Sequence, residues 1–196
     1  SLTVFVNNST NDKKTSGFKN QITTAGIGTR FEQYKDIYIA PRLALSYDDL
    51  EVNSSASKSL RKQKGAFTDL SFDYAVTLDN RDRVYAPTDG YLSSFSQGIP
   101  VYSDAPYLKN TYAFSKYKSV TKSAVGTFKL YATAINGLSD KDVRLSKRAN
   151  LSSTRLRGFE AGKVGPKDGV DYVGGNYAMA SNFEVTLPNL LPEYTK

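Results

Sequence analysis

The sequence predicts an all-β chain, an antiparallel up-and-down barrel whose strands cross a membrane. Three observations predict it. Apolar and polar residues alternate with a period of two, as on a strand with one apolar and one polar face. The alternating segments run about ten residues or more, the span that a tilted strand needs to cross a bilayer, against a mode of about five or six in soluble sheets. Tyr and Phe recur near segment ends (Phe31, Tyr34, Tyr47, Tyr85, Tyr91, Tyr107, Tyr117), as an interfacial girdle requires. By alternation alone a soluble antiparallel sandwich remains open; length and girdle favour the barrel.

Taken in order, the pattern gives roughly eight strands, at about residues 2–9, 18–31, 36–47, 66–79, 91–98, 107–118, 123–135 and 177–187. In the third, Ile37, Ile39, Pro41, Leu43, Leu45 and Tyr47 share one face, opposite Tyr38, Ala40, Arg42, Ala44 and Ser46. The fourth is cleaner. Leu70, Phe72, Tyr74, Val76 and Leu78 oppose Asp69, Ser71, Asp73, Ala75, Thr77 and Asp79. In the last, Tyr177, Met179, Phe183, Val185 and Leu187 oppose Ala178, Ala180, Asn182, Glu184 and Thr186. Connections alternate between short polar turns, at 32–35 and 119–121, and long polar loops, at 46–65 and 136–175. Barrels show that asymmetry between their two ends. No internal repeat or linker divides the chain, which reads as a single domain over residues 1–196.

Composition narrows the function. The 196 residues contain no Cys and no His, which excludes disulfides, thiolate or imidazole metal sites, and His-based acid–base or triad chemistry. No enzyme, cofactor or metal is expected. Mean hydropathy is −0.45 and no run is long and apolar enough for a membrane helix, yet a barrel strand buries only alternate side chains in lipid. The net charge of +7 calls for acidic partners. Lys58, Arg61, Lys62 and Lys64 form the densest basic run. On an external loop it would meet the phosphates of lipopolysaccharide, or simply water. Nucleic acid is not expected, because no stacking aromatics are interleaved there. Asp79, Asp82 and Asp89 lack calcium-loop spacing, and Gly26-Ile27-Gly28 is half a dinucleotide fingerprint with no helix after it.

The final third carries motifs. Leu156-Arg157-Gly158-Phe159 is followed by Gly165-Pro166-Lys167, then by Val173-Gly174-Gly175-Asn176 and the last strand. That order resembles the sixth extracellular loop and following strand of BamA-type assembly factors, the bacterial surface antigen superfamily. Upstream, Asp79-Asn80-Arg81-Asp82-Arg83 with Pro87-Thr88-Asp89-Gly90 resembles the family's periplasmic turn, though Pro and Gly also make a good turn unaided. The resemblance covers about residues 66–192; before that it rests on strand rhythm.

The resemblance implies a barrel of about sixteen strands, of which this chain supplies roughly the middle half with loop six. The N-terminal POTRA modules and the final strands are then missing. It also implies an outer-membrane location in a Gram-negative cell and a role in folding and inserting other barrels. Partners would be membrane lipid and lipopolysaccharide, unfolded barrel clients, and assembly lipoproteins reached through the POTRA modules. A two-partner secretion transporter of the same superfamily is the close alternative; a soluble β-sandwich binding module is the distant one. By resemblance Arg157 pins loop six in the lumen, with Gly158 allowing a tight path and Phe159 packing on lumen side chains. A confined guanidinium needs a carboxylate. Glu184 is the expected partner, from the polar face of the next strand; Asp69 and Asp73 are runners-up.

Overall fold

The computed structural model describes residues 2–13, 18–54, 56–140, 142–160, 162–169 and 171–187. Eight long strands form one continuous antiparallel sheet: β1 (Leu2–Lys13), β2 (Phe18–Thr29), β4 (Ile37–Val52), β5 (Gly65–Arg81), β6 (Gly90–Ser103), β7 (Tyr107–Ser119), β8 (Val125–Gly137) and β11 (Tyr177–Thr186). Each pairs with its neighbour in chain order, the meander that defines an up-and-down barrel. A short β3 (Phe31–Tyr34) continues β2 beyond a break at Arg30. Pro41, which has no N–H to give, lies opposite that break and is paired there with neither β2 nor β3. At about 3.3 Å per residue, strands of 10 to 17 residues reach about 33 to 55 Å, enough to cross a bilayer on a tilt.

Register decides which face is which. Leu43, Phe72 and Ile99 are aligned across β4, β5 and β6, and Phe183 lies opposite Phe128 across β11 and β8. Those side chains except the half-buried Ile99, with Val4, Ile27, Leu45, Val76, Phe95, Tyr112, Met179 and Val185, are exposed. The opposite face carries Arg42, Asp48, Asp69, Asp73, Lys129 and Glu184. The sheet is therefore polar inside and apolar outside, the inverse of a soluble sandwich, and no second sheet covers its apolar face among the described residues. The sandwich alternative fails on that observation. Because β1 and β11 are not paired to each other, the barrel is incomplete.

Turns at 35–36, 82–89 and 120–124 are at one end, and the connections 53–64, 104–106 and 138–176 at the other. The expected loop at 46–65 is corrected: β4 continues to Val52, and a one-turn helix α1 (Lys58–Lys62) occupies part of the rest. Loop six contains a 3-10 turn, Leu145–Lys147, and a small hairpin of β9 (Lys167–Asp168) and β10 (Asp171–Tyr172). The buried hydrophobic cluster lies under these loops, not within the sheet: Ala56, Leu60, Leu145 and Val173, with Val52 against them.

Candidate functional site: loop six in the lumen

Loop six leaves β8 and turns back over the polar face. Ala149, in its first third, is bridged to Gly175 just before β11, and Ile135 of β8 donates its N–H to the Asn176 carbonyl at 2.8 Å. At its root, Val143 and Leu145 are buried and Arg144 between them is directed at the sheet. The Arg144 guanidinium donates to the Asp69 carboxylate, lies 3.8 Å from Asp48 Oδ2 and rests 4.4 Å from the Phe67 ring centroid. Lys147 Nζ is 3.2 Å from Asp48 and 3.8 Å from Asp69, and Ser146 Oγ donates to Asp48 at 3.1 Å. Asp48 is 0% exposed, Arg144 3% and Asp69 6%. Two carboxylates and two cations are thus removed from water together, which is tolerable only because each opposes the others.

The tip is held more loosely. Arg157 Nη2 donates to Glu184 Oε1 at 2.9 Å, and Glu184 also receives Lys129 Nζ at 2.9 Å. The Arg157 side chain is 69% exposed, so water competes for that pair. Gly158 has φ of 84°, in the left-handed region. Two expectations are corrected here. Asp69 and Asp73 do not reach Arg157: Asp69 is taken by Arg144, and Asp73 by Arg42 directly across β4 and β5, at 2.9 Å. Phe159 is 57% exposed and so is not buried among lumen side chains. The aromatic contact at this level is instead Arg155, stacked 3.5 Å over the Tyr131 ring. The Arg155 carbonyl accepts from Asn182 Nδ2 at 3.0 Å.

Arg144, Lys147 and Asp48 escaped the sequence reading. Asp48 continues the polar face of β4 by one more step after Ser46, a signal that was present had the strand been extended. For Arg144 the available signal was weaker, a cation flanked by Val143 and Leu145 in an otherwise polar loop.

Helix α1 sits against this root. Its first free N–H groups are satisfied from far along the chain: Ser57 donates to Asp171 at 2.9 Å and Ser59 to Asp168 at 3.1 Å. The Ser59 hydroxyl also donates to Asp168, and these bonds hold the Asp168 carboxyl below the usual carboxylate range. Leu60 is buried, whereas Lys58, Arg61, Lys62 and Lys64 point to solvent.

At the opposite end, Asp82 organises the turn between β5 and β6. It accepts from the Thr88 hydroxyl at 2.7 Å and from the Thr88 and Asp89 amides, which depresses its pKa. Pro87 precedes these residues. Lys118 Nζ lies 2.8 Å from Asp89, and that contact lowers the Asp89 pKa. Gly90 has φ of 92°, and a Cβ there would fall 1.9 Å from the Asn80 carbonyl oxygen, so the position requires glycine. No cluster of metal-ligating residues occurs among the described residues.

Comparison with known proteins agrees with this architecture. The Omp85 superfamily domain matches residues 1–195. A SAM50-like protein of Schizosaccharomyces pombe is 33% identical over 140 residues, covering 68% of this chain and 30% of its own length. The crystal structure of BamA from Haemophilus ducreyi lacking POTRA domains 1–3 superposes with a TM-score of 0.81 at 20% identity, over 98% of this chain and 43% of that one. The chain therefore spans less than half of either relative, and its sheet is part of an outer-membrane β-barrel. On the full-length match and the shared barrel architecture, the chain belongs to the Omp85 superfamily.

Proposed function

We propose that this chain is part of a barrel that assists the folding and insertion of other β-barrel proteins, without covalent catalysis. The observation that carries the reading is loop six, folded over the polar face and anchored by Arg144 and Lys147 on Asp48 and Asp69 within an Omp85 barrel. A lumen occupied by a buried ionic latch suits an insertase better than a transporter that must pass a polypeptide through the same space. Strand pairing and burial in the client supply the free energy, and the barrel lowers the kinetic barrier. In this reading Arg157, Gly158 and Phe159 form an exposed, readjustable tip that meets Glu184 of β11, and Pro87, Thr88, Asp89 and Gly90 form the turn on the periplasm-equivalent side. Unfolded barrels are the clients, and accessory proteins act through segments outside this chain.

The membrane is an outer membrane. A relative from a yeast, a cell without a bacterial envelope, favours an organelle over a Gram-negative cell. Lys58, Arg61, Lys62 and Lys64 then meet anionic headgroups in general and not lipopolysaccharide in particular. The test is reconstitution of the protein carrying this chain into lipid vesicles, followed by the rate at which an unfolded barrel becomes protease-protected. The expected result is faster insertion than into empty vesicles; equal rates refute the reading.

A further inference from the structure

Between loop six and strands β4 to β8 lies a cavity of about 480 Å³. Four cations border it, Arg42, Lys109, Lys147 and Arg155, against two carboxylates, Asp69 and Asp73. The carboxylates are already engaged. Asp73 holds Arg42 at 2.9 Å and accepts from Ser71 Oγ at 3.2 Å, and it lies across Gly98, where a Cβ would come within 2.7 Å of its Oδ1. Asp69 is held by Arg144, with Lys147 at 3.8 Å. Adding Arg144 and Asp48 from the buried latch leaves the excess of two positive charges unchanged.

That excess resides on Lys109 and Arg155. Neither has a carboxylate within 4 Å among the described residues. Lys109, exposed on β7, shares the cavity wall with Lys147 and Arg155, and no ion pair joins it to Asp73. Stacking on Tyr131 orients the Arg155 guanidinium without giving it a counter-charge. Gathering like charges in a confined space is unfavourable unless an anion joins them. Hydroxyls of Tyr107, Thr111 and Ser71 also border the cavity and can donate to an anion.

We propose that this cavity is an oxyanion-binding site, filled by an acidic side chain of a polypeptide or by free phosphate. Arg155 offers a planar fork for two oxygens, and Lys109 a point charge beside it. The inference goes beyond the insertion reading and does not rest on it, because binding is read without any client.

The experiment is isothermal titration of the protein carrying this chain, folded in a neutral detergent, with inorganic phosphate and separately with a short glutamate-containing peptide. Saturable binding of at least one is expected, with a dissociation constant of about 0.1 to 1 mM. Lys109→Gln with Arg155→Gln weakens it about tenfold or more, whereas Lys109→Arg retains it and shows that the fold is intact. Gln at Lys58, Arg61, Lys62 and Lys64 leaves it unchanged. If peptide and phosphate compete, they share the site; binding of only one identifies the source. No saturable binding of either up to about 10 mM overturns the proposal. So does binding that survives the Lys109/Arg155 double change, or that is lost with the loop lysines.

Discussion

Replacing Arg144 by Ala leaves Asp48 and Asp69 with Lys147 as their one remaining cation, beside the hydroxyls of Ser146 and Ser103. The two carboxylates are 0% and 6% exposed, so water cannot easily take over from the guanidinium. Breaking a buried ion pair on one side costs about 3 to 5 kcal/mol, since the surviving charge stays desolvated without its partner. Lys147 at 3.2 Å from Asp48 offsets part of this, and the lower end, about 3 kcal/mol, is the expected cost. Loss of the stacking on Phe67 and of packing between Val143 and Leu145 acts in the same direction. The loop root should then open about a hundredfold more often. Amide hydrogen exchange reads this locally. Ala149 and Gly175, bonded to each other across the root, should exchange about a hundred times faster in Arg144→Ala, while the β5–β6 ladder stays protected. Changing Arg144 and Asp69 together to apolar residues of similar volume should restore much of the protection. Unchanged exchange at Ala149 and Gly175 in Arg144→Ala would refute the latch, because the buried pair would then contribute nothing to holding the loop.

Three further outcomes are expected. Glu184→Gln releases Arg157 and weakens Lys129, but with Arg157 mostly exposed the cost should stay under about 1 kcal/mol, visible as at most a fewfold rise in exchange near residues 155–158; a rise like that of Arg144→Ala would make the tip, not the root, the anchor. Asp82 has a pKa depressed chiefly by the Thr88 hydroxyl, so its stabilisation is complete above the ordinary carboxylate value of 3.8 and is lost as pH falls through the lower folded value. Protection of the Thr88 and Asp89 amides should therefore be flat from pH 7 to about pH 5 and fall only in stronger acid, and Asp82→Ala, which removes both acceptor oxygens, should abolish it throughout. Phe72→Arg puts a charge on the lipid face near the middle of β5 and should cost about 2 to 4 kcal/mol in urea unfolding from bilayers, whereas Ser71→Arg, on the polar face, should cost far less; a larger cost for Ser71→Arg would mean that the faces are assigned the wrong way round.

The sequence by itself determined the strands and their faces. Leu70 to Leu78 against Asp69 to Asp79 is a local, period-two signal, and the register of β4, β5 and β6 follows once one face must be apolar throughout. Glu184 could be nominated by the same parity, as a polar-face residue of the strand after the loop, for an Arg157 that only the family resemblance singled out. The partner of Asp69 could not. Eight Lys and Arg residues lie within one long polar loop, and only the path of that loop across the sheet places Arg144 on Asp69 and Asp48. Helix α1 was equally hidden: five residues carry no helical period, and its N-terminal amides are satisfied by Asp168 and Asp171, more than a hundred residues away. Which side a strand residue faces is fixed by its neighbours in the chain; which charge it meets inside the barrel is fixed by a long loop folding back, a choice made only when the loop's apolar residues, Val143, Leu145 and Val173, find their burial.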